Sequence, residues 1–165
     1  MMAISSDKFR AAMRCFPGVV TIVTTSNSAD PLGITATAFS SVTADPPSVL
    51  VCLGRATGTC NVVEETGQFN VNLLASQHGD LAMRFGGAHQ VTGPDKFTQG
   101  KWDTDKRGLP VLRDALVSLS CDVSEVVETS SHAVFIGQIN DATIREGQPL
   151  LFEKSAFRGL GPLAD

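Results

Sequence analysis

Dense positive charge and long apolar segments are both missing from this sequence. It has 13 Lys and Arg residues against 17 Asp and Glu residues, a formal net charge of −4 at pH 7. Nucleic acids and anionic membranes are bound through dense Lys and Arg, so we expect neither as a partner. No segment approaches the roughly 20 apolar residues that span a bilayer. Charged residues between Asp7 and Arg14 interrupt any secretory signal, and we therefore expect a cytoplasmic protein.

Metal-binding and disulfide motifs are missing as well. The sequence has no C-x-x-C pair and no His or Cys spacing typical of zinc sites, so we predict no metal site. Free cysteine behaves as a small, mostly buried hydrophobe, which is the role we expect for all four thiols. The cysteines are Cys15, Cys52, Cys60 and Cys121, and the histidines are His78, His89 and His132.

Signatures of the common nucleotide-binding folds and of hydrolases are also lacking. No G-x-G-x-x-G motif opens a βαβ unit, which excludes a Rossmann fold, and the G-K-[ST] ending of a P-loop is absent. No G-x-S-x-G elbow supports a serine hydrolase. The acids Glu64 and Glu65 are expected on a solvated helix surface.

The patterns that are present predict one mainly β domain over residues 1–165. Capping signals and apolar spacing indicate helices over residues 5–16, 60–66 and 76–85. Apolar runs and alternation indicate about seven strands, over residues 19–25, 33–42, 48–53, 69–74, 117–124, 133–139 and 150–152. Between residues 86 and 110 we expect a long loop anchored by Phe97 and Trp102. Many strands and few helices favour a closed or nearly closed antiparallel barrel.

Two segments have the composition of a ligand site. Residues 33–43 (GITATAFSSVT) carry small hydroxyls where a surface strand normally carries Lys or Glu. Either they let a flat ligand approach the backbone, or Thr and Ser serve only β-propensity, and composition does not separate the two. Residues 54–59 (GRATGT) combine hydroxyls, glycine and one cation before a helix, which is typical of a phosphate site but is weak evidence alone.

In their order along the chain, these segments resemble the short-chain flavin reductase family, the reductase components of two-component flavin monooxygenases. The resemblance covers nearly the whole chain. Its most specific part is the run from Gly33 to Val42 with the following Pro46-Pro47. It also includes residues 9–13, 20–25, 51–53, 69–74 and 84–87, and His132 before Phe135-Ile136-Gly137.

The resemblance implies a split β-barrel with Greek-key topology and a few short helices. It further implies a homodimer that binds FMN or FAD and takes hydride from NADH or NADPH. Reduced flavin would diffuse to a separate monooxygenase component. By resemblance, His132 binds the nicotinamide nucleotide. The flavin-binding positions implied are Thr35, Ala36, Thr37, Ser40, Ser41, Cys52, Thr57, Thr59, Arg84 and Lys96.

Two positions depart from the family's pattern. The turn Ser130-Ser131-His132 has Ser130 where a glycine is usual, which bears on the nucleotide site. Gly54 stands where Asn is common, which bears on a flavin contact.

Hydride transfer between nicotinamide and flavin is chemistry that the cofactors carry, so no acid–base pair is needed and no catalytic residue is assigned. Two alternatives remain. One is a flavin-binding redox sensor or electron carrier without turnover. The other is an oxidase of the wider split-barrel superfamily.

Overall fold

The computed structural model describes residues 3–162 and has a few short helices and many strands. The helices are α1 (Ser6–Met13), α2 (Gly58–Thr66) and α3 (Gly79–Phe85). The first six strands are β1 (Gly18–Val19), β2 (Thr21–Ser26), β3 (Pro31–Ala36), β4 (Phe39–Ala44), β5 (Pro47–Gly54) and β6 (Gln68–Leu73). The others are β7 (Trp102–Thr104), β8 (Pro110–Leu112), β9 (Val117–Glu128), β10 (His132–Ile144), β11 (Leu151–Glu153) and β12 (Ala156–Arg158). The predicted mainly β class is confirmed.

Seven strands form one antiparallel sheet in the order β3-β2-β6-β9-β10-β5-β4. Its two edge strands, β3 and β4, are consecutive in the chain and are joined by Thr37 and Ala38. The Cys52 N–H on β5 donates to the carbonyl oxygen of Ala38 over 3.1 Å, which ties this junction to the opposite edge. Within residues 3–162 no ladder joins β3 to β4, so the barrel is split, as predicted.

The sheet is covered by apolar side chains on both faces where β2 runs through it. Val23 packs inside the barrel with Val51, Phe69 and Phe135. Its neighbour Ile22 points to the opposite face, because side chains alternate along a strand. Ile22 packs there in a second cluster under α3. Burial on both faces explains why β2 is a continuous apolar and β-branched run.

Local signals define the ends of α2 well. The Thr57 hydroxyl accepts from the Cys60 N–H over 3.2 Å at the N-cap. Gly67 follows the last turn with a φ of 67°, a left-handed conformation that glycine adopts without steric cost. In α1, the Ser5 hydroxyl accepts from the Lys8 N–H, yet no residue of that helix is buried. None of the helices described between residues 3 and 162 is both long and apolar enough to cross a membrane.

Two predicted elements are divided in the structure. The strand over 19–25 breaks at Val20, whose N–H donates to the Leu150 carbonyl. It breaks there because β1, before Val20, pairs with β11, whereas β2, after it, pairs with β3 and β6. The segment over 33–42 breaks at 37–38, where the chain passes from one edge of the sheet to the other. The first break comes from pairing with the distant strand β11. The second lies between two hairpins, β2–β3 and β4–β5, which the sheet places at its opposite edges.

The helix predicted over 76–85, with Ser76 as its cap, is α-helical only from Gly79 onward. Ser76–His78 instead form a 3₁₀ turn before α3, closed by the His78 N–H, which donates to the Ala75 carbonyl. The predicted cap at Ser76 was therefore wrong. The expectation that all four cysteines are buried was also wrong at Cys15, which is exposed. It follows α1, a helix none of whose residues is buried.

The predicted loop over 86–110 holds more structure than expected. It contains a 3₁₀ segment, Gly93–Thr98, and the hairpin β7–β8. Phe97 and Trp102 are its anchors, as predicted. Their ring centroids lie 4.9 Å apart, and both rings pack against the cluster under α3.

An ion-pair network joins the segment around Asp105 to β6 and β9. Arg107 donates to the carboxylate of Asp105 over 2.8 Å and to Asp122 over 2.9 Å. It also donates to the amide oxygen of Asn70 over 2.6 Å. Burial opposes ionisation of Asp105, but hydrogen bonds from Arg107 and from the Leu109 N–H outweigh it and hold its pKa below the ordinary value.

Candidate functional site

A cavity of about 270 Å³ lies between the start of α2 and the 3₁₀ segment Gly93–Thr98. We call it the Lys96 cavity. It brings together three of the predicted site residues, which come from segments far apart in the chain. Its lining residues are Leu32, Gly33, Ile34, Thr57, Gly58, Thr59, Thr92, Gly93 and Lys96.

Lys96 is held at this cavity by its ammonium group. Nζ donates to the carbonyl oxygens of Gly33 and Phe85, each over 3.2 Å, and lies 5.8 Å from the centroid of the Phe85 ring. Burial lowers the pKa of Lys96 from its ordinary value. An ammonium has three N–H donors, and the two carbonyls engage two of them. The third is available to an acceptor in the cavity.

The other wall is the N-terminus of α2. The Thr57 hydroxyl donates to the Gly54 carbonyl over 2.7 Å besides capping the helix, so its first role is to shape the turn. Thr59 is only 5% exposed. The first N–H groups of a helix have no partner within it, and the helix dipole favours an anion there. This wall therefore offers donors to the same space that Lys96 borders.

β3 separates the Lys96 cavity from a second one. A cavity of about 460 Å³ between β3 and α3 is lined by both Thr35 and Thr37. The Thr35 hydroxyl donates to the Ala82 carbonyl over 2.6 Å, which joins the two elements. Ala36 is directed the other way, into the barrel. The alternation predicted for this strand therefore divides its residues between two environments.

The remaining β4 and β5 positions lie at the open edge of the barrel. Thr37, Ser40 and Ser41 are exposed. Cys52 is half-buried, and burial raises the pKa of its thiol, which favours an inert, protonated group. These residues do not line the Lys96 cavity, so the structure does not gather all the predicted positions in one enclosed pocket.

The Arg84 side chain is engaged by hydrogen bonds within the protein. Its guanidinium donates to the backbone carbonyls of Asp95 and Lys96 and to the Thr98 hydroxyl. All three acceptors belong to the 3₁₀ segment, so none of these hydrogen bonds spans the Lys96 cavity. The geometry gives Arg84 the role of an anchor for that segment.

His132 is exposed at the start of β10, directly across from Gly54 on β5. Its Nδ1 lies 2.8 Å from the Ser131 hydroxyl. The Arg55 N–H donates to the Ser131 carbonyl over 3.0 Å, which ties this turn to the segment before α2. Neither Ser130 nor Ser131 has a positive φ, so the turn forms without the glycine that is usual there.

Two contributors to the site had no clear signal in the sequence. The Gly33 carbonyl fixes Lys96, and a Cβ at Gly33 would lie 2.7 Å from Phe85 Cε1. Gly93 lines the cavity from within the predicted loop. An isolated glycine in a strand does indicate that another part of the protein approaches the backbone closely, but it does not indicate which element. Among residues 3–162, no group of three His, Cys, Asp or Glu side chains is placed to hold a metal ion.

The sequence is similar to several named proteins. The family described as "Flavin reductase like domain" matches residues 13–161. "FMN reductase (NADH) RutF" of Agrobacterium fabrum is 37% identical over 153 residues, covering 92% of this chain and 87% of that protein. The "4-hydroxyphenylacetate 3-monooxygenase reductase component" of Pseudomonas aeruginosa is 33% identical over 153 residues, covering 92% of this chain and 90% of that protein.

The fold is similar to that of solved structures as well. The NADH:FAD oxidoreductase SgcE6 of Streptomyces globisporus, solved in complex with NAD and FAD fragments, superposes with a TM-score of 0.88 and 28% identity, covering 100% of each chain. Sequence and fold therefore agree over almost the full length. The chain belongs to the family of flavin reductase like domains.

Proposed function

We propose that this protein is an NAD(P)H-dependent flavin reductase that supplies reduced FMN or FAD to a separate monooxygenase component. The observation that carries the proposal is the Lys96 cavity. There the ammonium of Lys96, the Thr59 position and the N-terminus of α2 converge on one space. The names of the relatives from Agrobacterium fabrum and Pseudomonas aeruginosa support it: one is an NADH-dependent FMN reductase and the other a monooxygenase reductase component.

The residues present fit a flavin phosphate. A phosphate needs cationic and N–H donors, and a helix N-terminus beside an ammonium provides both. The ammonium is pre-positioned by the Gly33 and Phe85 carbonyls, so little ordering remains when an anion binds. The small residues at the open edge, Thr37, Ala38 and Ser40, leave room for a flat ring system beside the backbone. A bound flavin supplies the hydride-accepting chemistry.

The nicotinamide nucleotide would be held near His132. This side chain is exposed, and its turn is bonded to Arg55, which leads toward α2. A group at that position binds and orients the hydride donor and has no proton to transfer in the hydride step. We favour NADH as the donor, because the similar proteins of Agrobacterium fabrum and Streptomyces globisporus are an FMN reductase (NADH) and an NADH:FAD oxidoreductase. The expected location is the cytoplasm, where this donor is available.

We also propose a homodimer that covers α1. Three large apolar side chains of that region are exposed: Phe9 by 52%, Met13 by 46% and Phe16 by 68%. They line a cavity of about 550 Å³ that also reaches Thr37 and Ala38 at the open edge. Contiguous exposed apolar groups mark association surfaces, and a second copy seated there would also enclose the flavin side of the barrel.

Sedimentation tests the dimer directly. Phe9→Asp combined with Phe16→Asp should convert the dimer to a monomer that unfolds at about the wild-type temperature. Ile144→Asp, at an apolar side chain that is 78% exposed on β10, serves as the matched control. A wild-type protein that sediments as a monomer at micromolar concentration would contradict the proposal.

The activity is tested by following NADH oxidation at 340 nm with and without added flavin. The proposal expects multiple turnovers with FMN or FAD and almost none without flavin, and no loss of activity after dialysis against a chelator with flavin kept saturating. Flavin binding without turnover would instead support the sensor or electron-carrier alternative. Oxygen consumption that requires a further organic substrate would support the oxidase alternative.

A further inference from the structure

We propose that Arg84 is a positioning residue, which places the ammonium of Lys96 and thereby sets the preference for phosphate-bearing flavin. This inference rests on the proposed function and deepens it. It concerns a residue that the resemblance implied as a direct flavin contact, and it gives that residue an indirect role.

The contacts of Arg84 are concentrated on the segment that carries Lys96. Nε donates to the Lys96 carbonyl over 3.0 Å, and one terminal nitrogen donates to the Asp95 carbonyl and, over 2.9 Å, to the Thr98 hydroxyl. The guanidinium therefore bonds to the peptide group of the lysine itself. A shift of Arg84 would shift the Lys96 backbone directly.

The ammonium end of the lysine is held by two further carbonyls. Nζ bonds to the carbonyls of Gly33 on β3 and Phe85 at the end of α3. Arg84 and Phe85 are adjacent in the same helix, so α3 holds both the backbone and the ammonium of Lys96. The segment is further packed by Phe97, whose ring lies 5.0 Å from that of Phe85 in an edge-to-face arrangement.

The three hydrogen bonds that Arg84 donates to the 3₁₀ segment, which we call the Arg84 clamp, require an arginine. A guanidinium presents N–H donors on three nitrogens of a rigid planar fork, whereas the three N–H donors of an ammonium all diverge from one nitrogen. Nε and a terminal nitrogen of Arg84 reach two successive carbonyls and a hydroxyl at once. A lysine at position 84 would have to reach the same acceptors from a single atom, so it would not reproduce all three hydrogen bonds.

A double-mutant cycle on flavin affinity tests the coupling. FMN and riboflavin are titrated by fluorescence quenching into wild type, Arg84→Met, Lys96→Met and the double variant. Arg84→Met should displace the Lys96 ammonium and so weaken its hydrogen bond to the charged phosphate of FMN. We therefore expect FMN binding to weaken about tenfold and riboflavin binding to change less than about twofold. The double variant should be no weaker than Lys96→Met alone, since residues acting through one another are not additive.

Two further variants separate positioning from general support of the fold. Arg84→Lys should recover only part of the FMN preference. Arg113→Met removes an exposed arginine that pairs with Asp103, away from the cavity, and should leave both affinities unchanged. Where Arg84→Met does not fold, Thr98→Val removes one acceptor of the clamp and should weaken FMN binding about twofold to threefold with riboflavin unaffected.

The inference is overturned if Arg84→Met weakens both flavins equally, or if its effect multiplies with that of Lys96→Met. Failure of the proposed function looks different. A wild-type protein that binds FMN with the coupling described but does not oxidise NADH would refute the reductase activity and leave the role of Arg84 intact. A wild-type protein that reduces flavin but binds FMN no better than riboflavin would refute only the role of Arg84.

Discussion

The ammonium of Lys96 donates a hydrogen bond to the backbone carbonyl of Gly33, with Nζ 3.2 Å from the oxygen. The bond is possible because Gly33 has no side chain. At this point β3, α3 and the 3₁₀ segment come so close that a Cβ would meet the rings of both Phe85 and Phe97. A residue that contributes no functional group thus controls the distance between the cation and the barrel.

Gly33→Ala should therefore destabilise the protein and disturb the site together. The new Cβ would lie 2.7 Å from Phe85 Cε1 and 3.3 Å from Phe97 Cζ, and Phe85 is only 1% exposed, so its ring cannot swing into solvent. Overpacking of this kind costs about 1–3 kcal/mol, measurable by urea denaturation. Gly159→Ala, where no atom lies within 4 Å of the added carbon, should be close to neutral. Equal stability of both variants would refute the close approach.

Thr59→Val should weaken the binding of FMN and leave that of riboflavin almost unchanged. Valine keeps the shape of this buried side chain but removes the hydroxyl beside the N-terminus of α2. Loss of one hydrogen bond to a charged group corresponds to about 1.5–3 kcal/mol, or about a 10- to 150-fold loss of affinity. Titration of both flavins into both proteins gives the four constants needed. A parallel loss of riboflavin affinity would assign Thr59 to the ring or to the fold.

His132→Ala should raise the KM for NADH and change flavin affinity little. The side chain is exposed and lies beside the segment leading to α2, so its removal takes away binding energy that the ground state and the transition state share, which appears in KM. Steady-state kinetics at saturating flavin measure the effect, with His89→Ala, an exposed histidine outside the described cavities, as the control. An unchanged KM for NADH together with lost flavin binding would place His132 in the flavin site instead of the nicotinamide site.

Asp105→Asn should remove a stabilisation that depends on pH. The folded-state pKa of Asp105 is held below its ordinary value, so its contribution is complete above the unfolded pKa of about 3.9 and is lost as the pH falls through the folded pKa. At pH 7 the variant should be less stable by about 1.5–3 kcal/mol, because Arg107 loses its carboxylate partner. The difference in free energy of unfolding between wild type and the variant should become smaller below about pH 4.

Unfolding free energies of wild type and Asp105→Asn across pH 2–7 test this, with Asp30→Asn as the control for charge removal in an exposed turn. A constant difference between wild type and the Asp105 variant over the whole range would exclude an ionised, hydrogen-bonded carboxylate at position 105.

The sequence alone determined those features that arise from neighbouring residues. Gly67 marks the end of α2, and the alternation in β9 and the apolar run of β5 define strands, because each of these signals acts over a few residues. The start of α2, two residues before the predicted one, was seen only in the structure, where Thr57 caps the helix. The family resemblance named three residues that line the Lys96 cavity, Thr57, Thr59 and Lys96. The anchors Phe97 and Trp102 were also evident as large apolar groups in an otherwise polar segment.

The tertiary structure alone decided how these segments meet. The Ser76 N–H pairs with the Gln148 carbonyl, 72 positions later, and Arg84 bonds to the 3₁₀ segment 11 to 14 positions later. β3 and β4 separate at Thr37 and Ala38 because their pairing partners, β2 and β5, lie apart in the sheet order. Strand pairing and side-chain hydrogen bonds between distant segments leave no periodic trace in the sequence, because either partner alone is compatible with many environments. The Lys96 cavity exists only once the barrel has brought residues 33, 57 and 96 to one place.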